Sequence, residues 1–257
     1  MTPQEWLKVL KTAYLQEFIR RGGSSVKFAV VEEAQDTKAI VSGVGSLAQE
    51  EDFVTIAADS RETKVQLIDL LFQEMAKQVD WDALAFECVQ KLFRENDRKI
   101  PDQREACSWG VLASLNHCDE ATIQRDVNSW LERSLYQDYE MSREFRLAII
   151  QLCVSQLDPV GRQSKEVAAI QSWLRGELKQ MSGLKKLLIF QKVTRNNARD
   201  LIASLTHWVR TLGKPGVVLT IDISAFMGSK KKDVSTSLSY TPSAVMDAYE
   251  MLRQFID

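Results

Sequence analysis

The sequence predicts an α/β fold: a small parallel sheet with flanking helices, interrupted by a large helical insertion and predominantly helical overall. Three observations predict it. Short apolar, β-branched runs at Val26–Val31, Phe53–Asp59 and Val217–Asp222 suit buried strands of a parallel sheet. A helical pattern joins the first two within roughly 35 residues, the span of a βαβ unit with a right-handed crossover. From Thr63 to about Leu184 the periodicity is nearly all helical. At 257 residues the chain accommodates one large or two small domains with a sizeable core.

Taken in order, Thr2 stands as an N-cap, Pro3 at the first helical position and Glu5 as the closing residue of a capping box. The helix runs to Ile19, with Trp6, Val9, Leu10, Ala13, Tyr14 and Phe18 at helical spacing, and stops at Arg21-Gly22-Gly23. After the first strand, a helix from about Thr37 to Gln49 contains Gly43 and Gly45, which read as permitting close helix packing. The second strand follows. Two helices then carry Leu67 to Val79 and Leu84 to Phe93, and further ones centre on Val111, Val127, Leu147 and Leu174. Breaks fall at Lys99-Ile100-Pro101, Leu115-Asn116-His117 and Leu157-Asp158-Pro159, and no fixed-period repeat links them. A helix from Asn196 to Leu212 ends at Gly213-Lys214-Pro215-Gly216, before the third strand. A polar loop with Ser229-Lys230-Lys231-Lys232-Asp233 leads to a last helix, Pro242 to Phe255. The expected division is 1–62 for the first helix and βαβ unit, 63–192 for the helical insertion, and 193–257 for the rest of the α/β core.

Composition excludes several classes. With 33 basic and 35 acidic residues the net charge is −2, so no global field calls for nucleic acid. No apolar run approaches the roughly 18–20 residues of a membrane span, and the N-terminus lacks a signal-type stretch. Cys88, Cys107, Cys118 and Cys153 have no C-x-x-C spacing and read as reduced, mostly buried thiols of a cytoplasmic protein. His117 beside Cys118 lacks the further ligands a zinc site needs, so no metal site is assigned. With two histidines and no nucleophile elbow, no catalytic residues are assigned either. Trp6, Trp130, Trp173 and Trp208 sit at apolar helical positions and read as core; Trp81 lies at a helix junction that Asp80 or Asp82 could cap.

The first strand and the helix after it have the frame of a phosphate-binding loop, G-x-x-x-x-G-K-[ST], whose glycines let backbone N–H groups close on phosphate. Here Glu32 and Thr37 occupy both glycine positions. Lys38 falls on the lysine, and Ala39 replaces the hydroxyl that holds Mg²⁺. Glu32, Glu33 and Asp36 add a field that opposes a polyphosphate. At Val217–Asp222 an apolar strand ends in an acid, as the Mg²⁺-binding strand of many ATPases does. Ile223 then stands where a catalytic glutamate belongs, and it can neither take a proton nor orient water.

Four segments follow one another in a telling order: Trp173-Leu174-Arg175-Gly176-Glu177, Asn197-Ala198-Arg199-Asp200-Leu201-Ile202, Leu212-Gly213-Lys214-Pro215-Gly216 running into Val217–Asp222, and Asp247-Ala248-Tyr249-Glu250-Met251-Leu252-Arg253. In this the chain resembles the P-loop, AAA-like ATP-binding proteins of BREX-type bacterial antiphage defence systems and their relatives. The resemblance covers most of the chain, loosely in its N-terminal half and better from Trp173 onward. It implies a P-loop NTPase-like fold, ATP with Mg²⁺ as the cofactor, and work on DNA together with partner subunits. Both nucleotide motifs are degenerate, so the expectation is a non-catalytic pseudo-ATPase without a cofactor, a scaffold among other subunits of a cytoplasmic defence complex. Two rivals are an active ATPase using Lys38 and Asp222 with residues from a partner chain, and a DNA-binding adaptor acting through Lys230, Lys231 and Lys232. Beside an AAA-type core the sheet is short, which reads as truncation before a lid domain.

Overall fold

Thr2 and Glu5 cap each other as their spacing demands: the Glu5 amide donates to Thr2 Oγ1 at 3.3 Å and the Thr2 amide to Glu5 Oε2 at 2.8 Å. They open α1 (Pro3–Val9), which continues as a π-helical segment over Leu10–Phe18. The wider turns appear as i+5 bonds, such as Ile19 N–H to Tyr14 O at 2.9 Å. Gly22, at a φ of +95°, supplies the predicted stop. The computed structural model describes residues 2–31, 34–226, 240–253 and 255, with the backbone alone at 34–36. Glu32 and the run Lys230, Lys231, Lys232 lie outside the described residues.

After α1 come α2 (Ala34–Glu50), β1 (Val54–Asp59), α3 (Ile68–Gln78), α4 (Trp81–Glu95), α5 (Trp109–Leu115), α6 (Glu120–Leu131) and α7 (Arg143–Gln156). The order ends with α8 (Pro159–Arg162), α9 (Lys165–Leu174), α10 (Ser182–Lys185), α11 (Arg195–Thr211), β2 (Val217–Asp222) and α12 (Pro242–Arg253). The molecule is thus predominantly helical with a small parallel sheet. Two compact units divide it, one of Met1–Val79 with Val209–Asp257, the other of Asp80–Trp208.

In the first unit β1 and β2 pair in parallel, from Val54 opposite Val217 to Asp59 opposite Asp222. Helix α2 packs on both strands, and α3 packs on β1. Leu15, Ala48 and Phe53 form one buried cluster of this unit, with Leu10, Ile19, Leu47 and Val218 against it. At Gly43 a Cβ would lie 2.5 Å from Leu7 Cδ1, so the missing side chain lets α1 approach α2. Lys11 with Glu50 at 2.8 Å, and Arg20 with Glu51 at 3.1 Å, tie the π-helical segment and the turn after it to the end of α2 and the residue beyond.

One predicted strand does not form. Residues 26–31 run as irregular backbone, with Phe28 58% and Val30 95% exposed. An apolar, β-branched run is buried only where a sheet edge accepts it, and here Lys27 Nζ instead sits 4.0 Å from the centre of the Tyr14 ring. Among the described residues the sheet therefore has two strands, and the predicted βαβ unit over residues 26–59 is absent.

The second unit follows its pattern closely. Asp80, Ser108, Asp119, Asp158 and Ser164 each cap the helix that follows them. Helix α4 buries Trp81, Leu84, Cys88, Val89 and Leu92 at helical spacing, and α7, which buries Phe145, Ile149 and Leu152, packs against it with Phe145 meeting Trp81. Cys88, Cys107 and Cys153 are buried thiols, and burial pushes Cys153 well above the ordinary thiol range. Leu174, expected at a helix centre, instead ends α9. Gly176, at φ +73°, turns the chain there, and the Glu177 amide donates to Ser172 O at 2.8 Å. No described helix is long and apolar enough to cross a membrane.

Candidate functional site

Parallel strands in register bring their last residues side by side, so Asp59 and Asp222 meet at the carboxyl edge of the sheet. That edge is where α/β proteins place ligands. Two carboxylates so close repel each other unless a cation intervenes. Arg61 intervenes. Its Nε reaches Asp59 Oδ1 at 2.9 Å, and its Nη2 reaches Asp59 Oδ2 at 2.7 Å and Asp222 Oδ2 at 3.0 Å. The Arg61 amide also donates to Asp59 Oδ1 at 2.8 Å, an Asx-type turn that aims the guanidinium back across the strand ends. Asp222 spends its other oxygen locally, Oδ1 accepting from the Ser224 amide at 2.8 Å. Its side chain is only 12% exposed.

The loop beside these groups is held from the C-terminal side. Tyr240 offers its hydroxyl to the carbonyl oxygens of Ser60 and Thr63, the latter at 3.1 Å, and its ring packs edge-on against Phe226 with centroids 4.7 Å apart. Burial and the Asp59 charge push the Tyr240 phenol upward, so it stays a donor. For Asp59 burial opposes ionisation, but the Arg61 hydrogen bonds outweigh it and hold the carboxyl below its ordinary value.

That shift has a pH signature. A carboxyl whose folded value is depressed stabilises fully above its unfolded value, about 3.9, and loses that contribution as pH falls through the folded value. Arg61→Ala is therefore expected to lower the melting temperature near neutrality, with the deficit shrinking below about pH 4. Melts of both proteins followed by circular dichroism across that range check it, and a deficit independent of pH would contradict it.

Three residues of the phosphate-binding frame, Thr37, Lys38 and Ala39, lie in the first two turns of α2. Thr37 is half-buried, while Lys38 and Ala39 are exposed on α2, which begins at Ala34. Lys38, fifth in that helix, has its amide within the i to i−4 ladder, where it cannot turn toward a phosphate. Ile223 follows β2 half-buried, its carbonyl accepting from the Phe226 amide at 3.0 Å. Magnesium-bound ATP does not fit this arrangement: the guanidinium beside Asp222 repels a dication, no strand precedes α2 among the described residues, and residues 24–33 contain no glycine to cradle phosphate. The pocket on the sheet, lined by residues including Val41, Gly45, Thr55, Gln78 and Thr220, holds about 130 Å³. Ligand pockets begin near roughly 300 Å³.

Asp59, Arg61 and Tyr240 were not singled out by the sequence. The signal was there for the first two: Asp59 ends its strand as Asp222 ends the other, and Asp-x-Arg is a turn that can fold a cation back onto its own acid. Tyr240 carries no such local cue, because its partners are about 180 residues away. No protein-family model matches the chain, and neither a curated protein nor a solved structure matches it.

Proposed function

We propose that the chain is a non-catalytic, AAA-like pseudo-ATPase acting as an interaction subunit of a bacterial antiphage defence complex, a P-loop NTPase-like core turned to scaffolding. The observation that supports this reading most is the Asp222 carboxylate. An ATPase of this design would need that group open to Mg²⁺, and here Arg61 and the Ser224 amide share it. The antiphage setting and the partner subunits rest on the ordered segments from Trp173 to Arg253. Two of those segments have local structural duties that a scaffold retains without any nucleotide. Gly176 closes α9, and Asn197 caps α11 by accepting the Thr194 amide at 2.8 Å while donating to Lys192 O at 2.9 Å.

Isothermal titration with ATP and Mg²⁺ tests the reading. Binding is expected to be far weaker than micromolar. A low-micromolar dissociation constant, about −8 kcal/mol, overturns it in favour of an ATPase with an unorthodox site.

A further inference from the structure

Among the described residues one edge of the sheet is paired with no strand. Residues along a strand alternate in the side to which they offer their backbone groups. Gly216 and Asp222 face β1, their carbonyls accepting the Val54 and Ser60 amides at 3.1 and 2.9 Å. Val217, Leu219 and Ile221 therefore offer theirs to the opposite side, where among the described residues no strand lies. β2 is apolar on both faces from Val217 to Leu219 and again at Ile221, the composition of a strand inside a parallel sheet, yet all six of its residues are only half-buried. The far edge of β1 is treated differently. There the Gln78 amide meets both Ala57 N–H at 3.0 Å and Ala57 C=O at 2.7 Å, a side-chain plug of the kind that blunts sheet edges.

The same unit holds a strand-like segment without a sheet. Residues 26–31, Val-Lys-Phe-Ala-Val-Val, form no ladder and expose Phe28 and almost all of Val30. A half-buried edge without a described partner strand and an exposed, unused strand of matching composition are two halves of one interface. Lys27 on the Tyr14 ring keeps the segment at the helical side of its own unit. A second molecule can meet it there without breaking that contact.

We propose that residues 26–31 of one chain add as a strand to the open edge of β2 in a second copy, and that the exchange is reciprocal and closes a two-fold dimer. This rests on the interaction-subunit reading and names a second copy of the chain as a partner.

Sedimentation of the full chain over a wide concentration range, with cross-linking between differently tagged copies, tests it. In a Cys118→Ser background one copy carries Ala29→Cys and the other Leu219→Cys, joined by a short bis-maleimide. A mass of twice 29.2 kDa and a cross-link between the tags are expected. Both should disappear in Val30→Pro, which removes a strand donor at a fully accessible position and leaves the circular-dichroism melt of the chain intact. A monomer at every concentration overturns the proposal, as does a dimer that survives Val30→Pro. So do cross-links that form only within a chain bearing both cysteines. None of these outcomes touches the interaction-subunit reading, whose own failure would appear as micromolar ATP binding.

Discussion

Trp208→Ala is expected to destabilise the helical unit by about 3–5 kcal/mol, the range for truncating a large buried aromatic. Trp208 is fully buried in α11. Its ring stacks on Trp81 with centroids 6.3 Å apart and planes 8° from parallel, and it meets Phe145 edge-on at 6.1 Å. Trp81 and Phe145 close the triangle at 6.2 Å. Three aromatic side chains from α4, α7 and α11 thus share one packing site, and the hole left by an indole cannot be refilled by rings that already hold each other. At about 2–4 °C per kcal/mol for a chain of this size, the melting temperature should fall by about 6–20 °C. Trp208→Phe keeps a ring and should recover more than half of the loss. Differential scanning calorimetry decides; a loss below about 1 kcal/mol would mean that the site collapses around the alanine.

That prediction draws on the part of the chain the sequence describes best. Trp208 was placed in the core from spacing alone, since Leu201, Ile202, Leu205, Trp208 and Val209 recur with the helical period and all five are buried. Helix starts were equally legible, because an N-cap acts within three residues: Thr2 with Glu5 is visible in the one-dimensional string, and of the two acids offered at the next junction, Asp80 and Asp82, it is Asp80 that accepts the Ala83 amide. Local chemistry determines such features, so a local reading finds them.

The sheet was legible only in part. β1 and β2 stand where their apolar runs lie, but the same criterion also selected residues 26–31, which remain exposed. Apolar alternation states that a segment would gain from burial. It does not state that a partner edge is within reach, which is a property of the whole fold. The site shows the same division. Asp222 was found from its strand, whereas the group that determines its role, Arg61, comes from the other strand end 161 residues away. Spacing along the chain carries no trace of a contact that exists only because two strands pair in register. Substitution can test that contact directly.

Asp222→Ala is expected to cost about 1.5–3 kcal/mol, the range for losing a charge-assisted acceptor, and to lower the melting temperature by about 3–12 °C. The substitution removes the acceptor that the Ser224 amide now uses, Asp222 Oδ1, and takes from Arg61 its ion pair across the two strand ends. Asp222→Asn is the sharper comparison. Its amide oxygen can still accept from Ser224, but its NH₂ would face the Arg61 guanidinium, donor against donor, so part of the loss should remain. If Asp222 is a structural lock, stability falls in both variants and nucleotide turnover, measured beside the melts, stays at background in all three proteins. If instead Asp222→Asn melts like the parent while a measurable parental ATPase activity vanishes, the carboxylate is a metal ligand. The guanidinium must then swing away when substrate arrives. Arg61→Ala separates the two cases once more: a lock is weakened by losing its cation, whereas a metal site obstructed by that cation should bind Mg²⁺ more tightly without it.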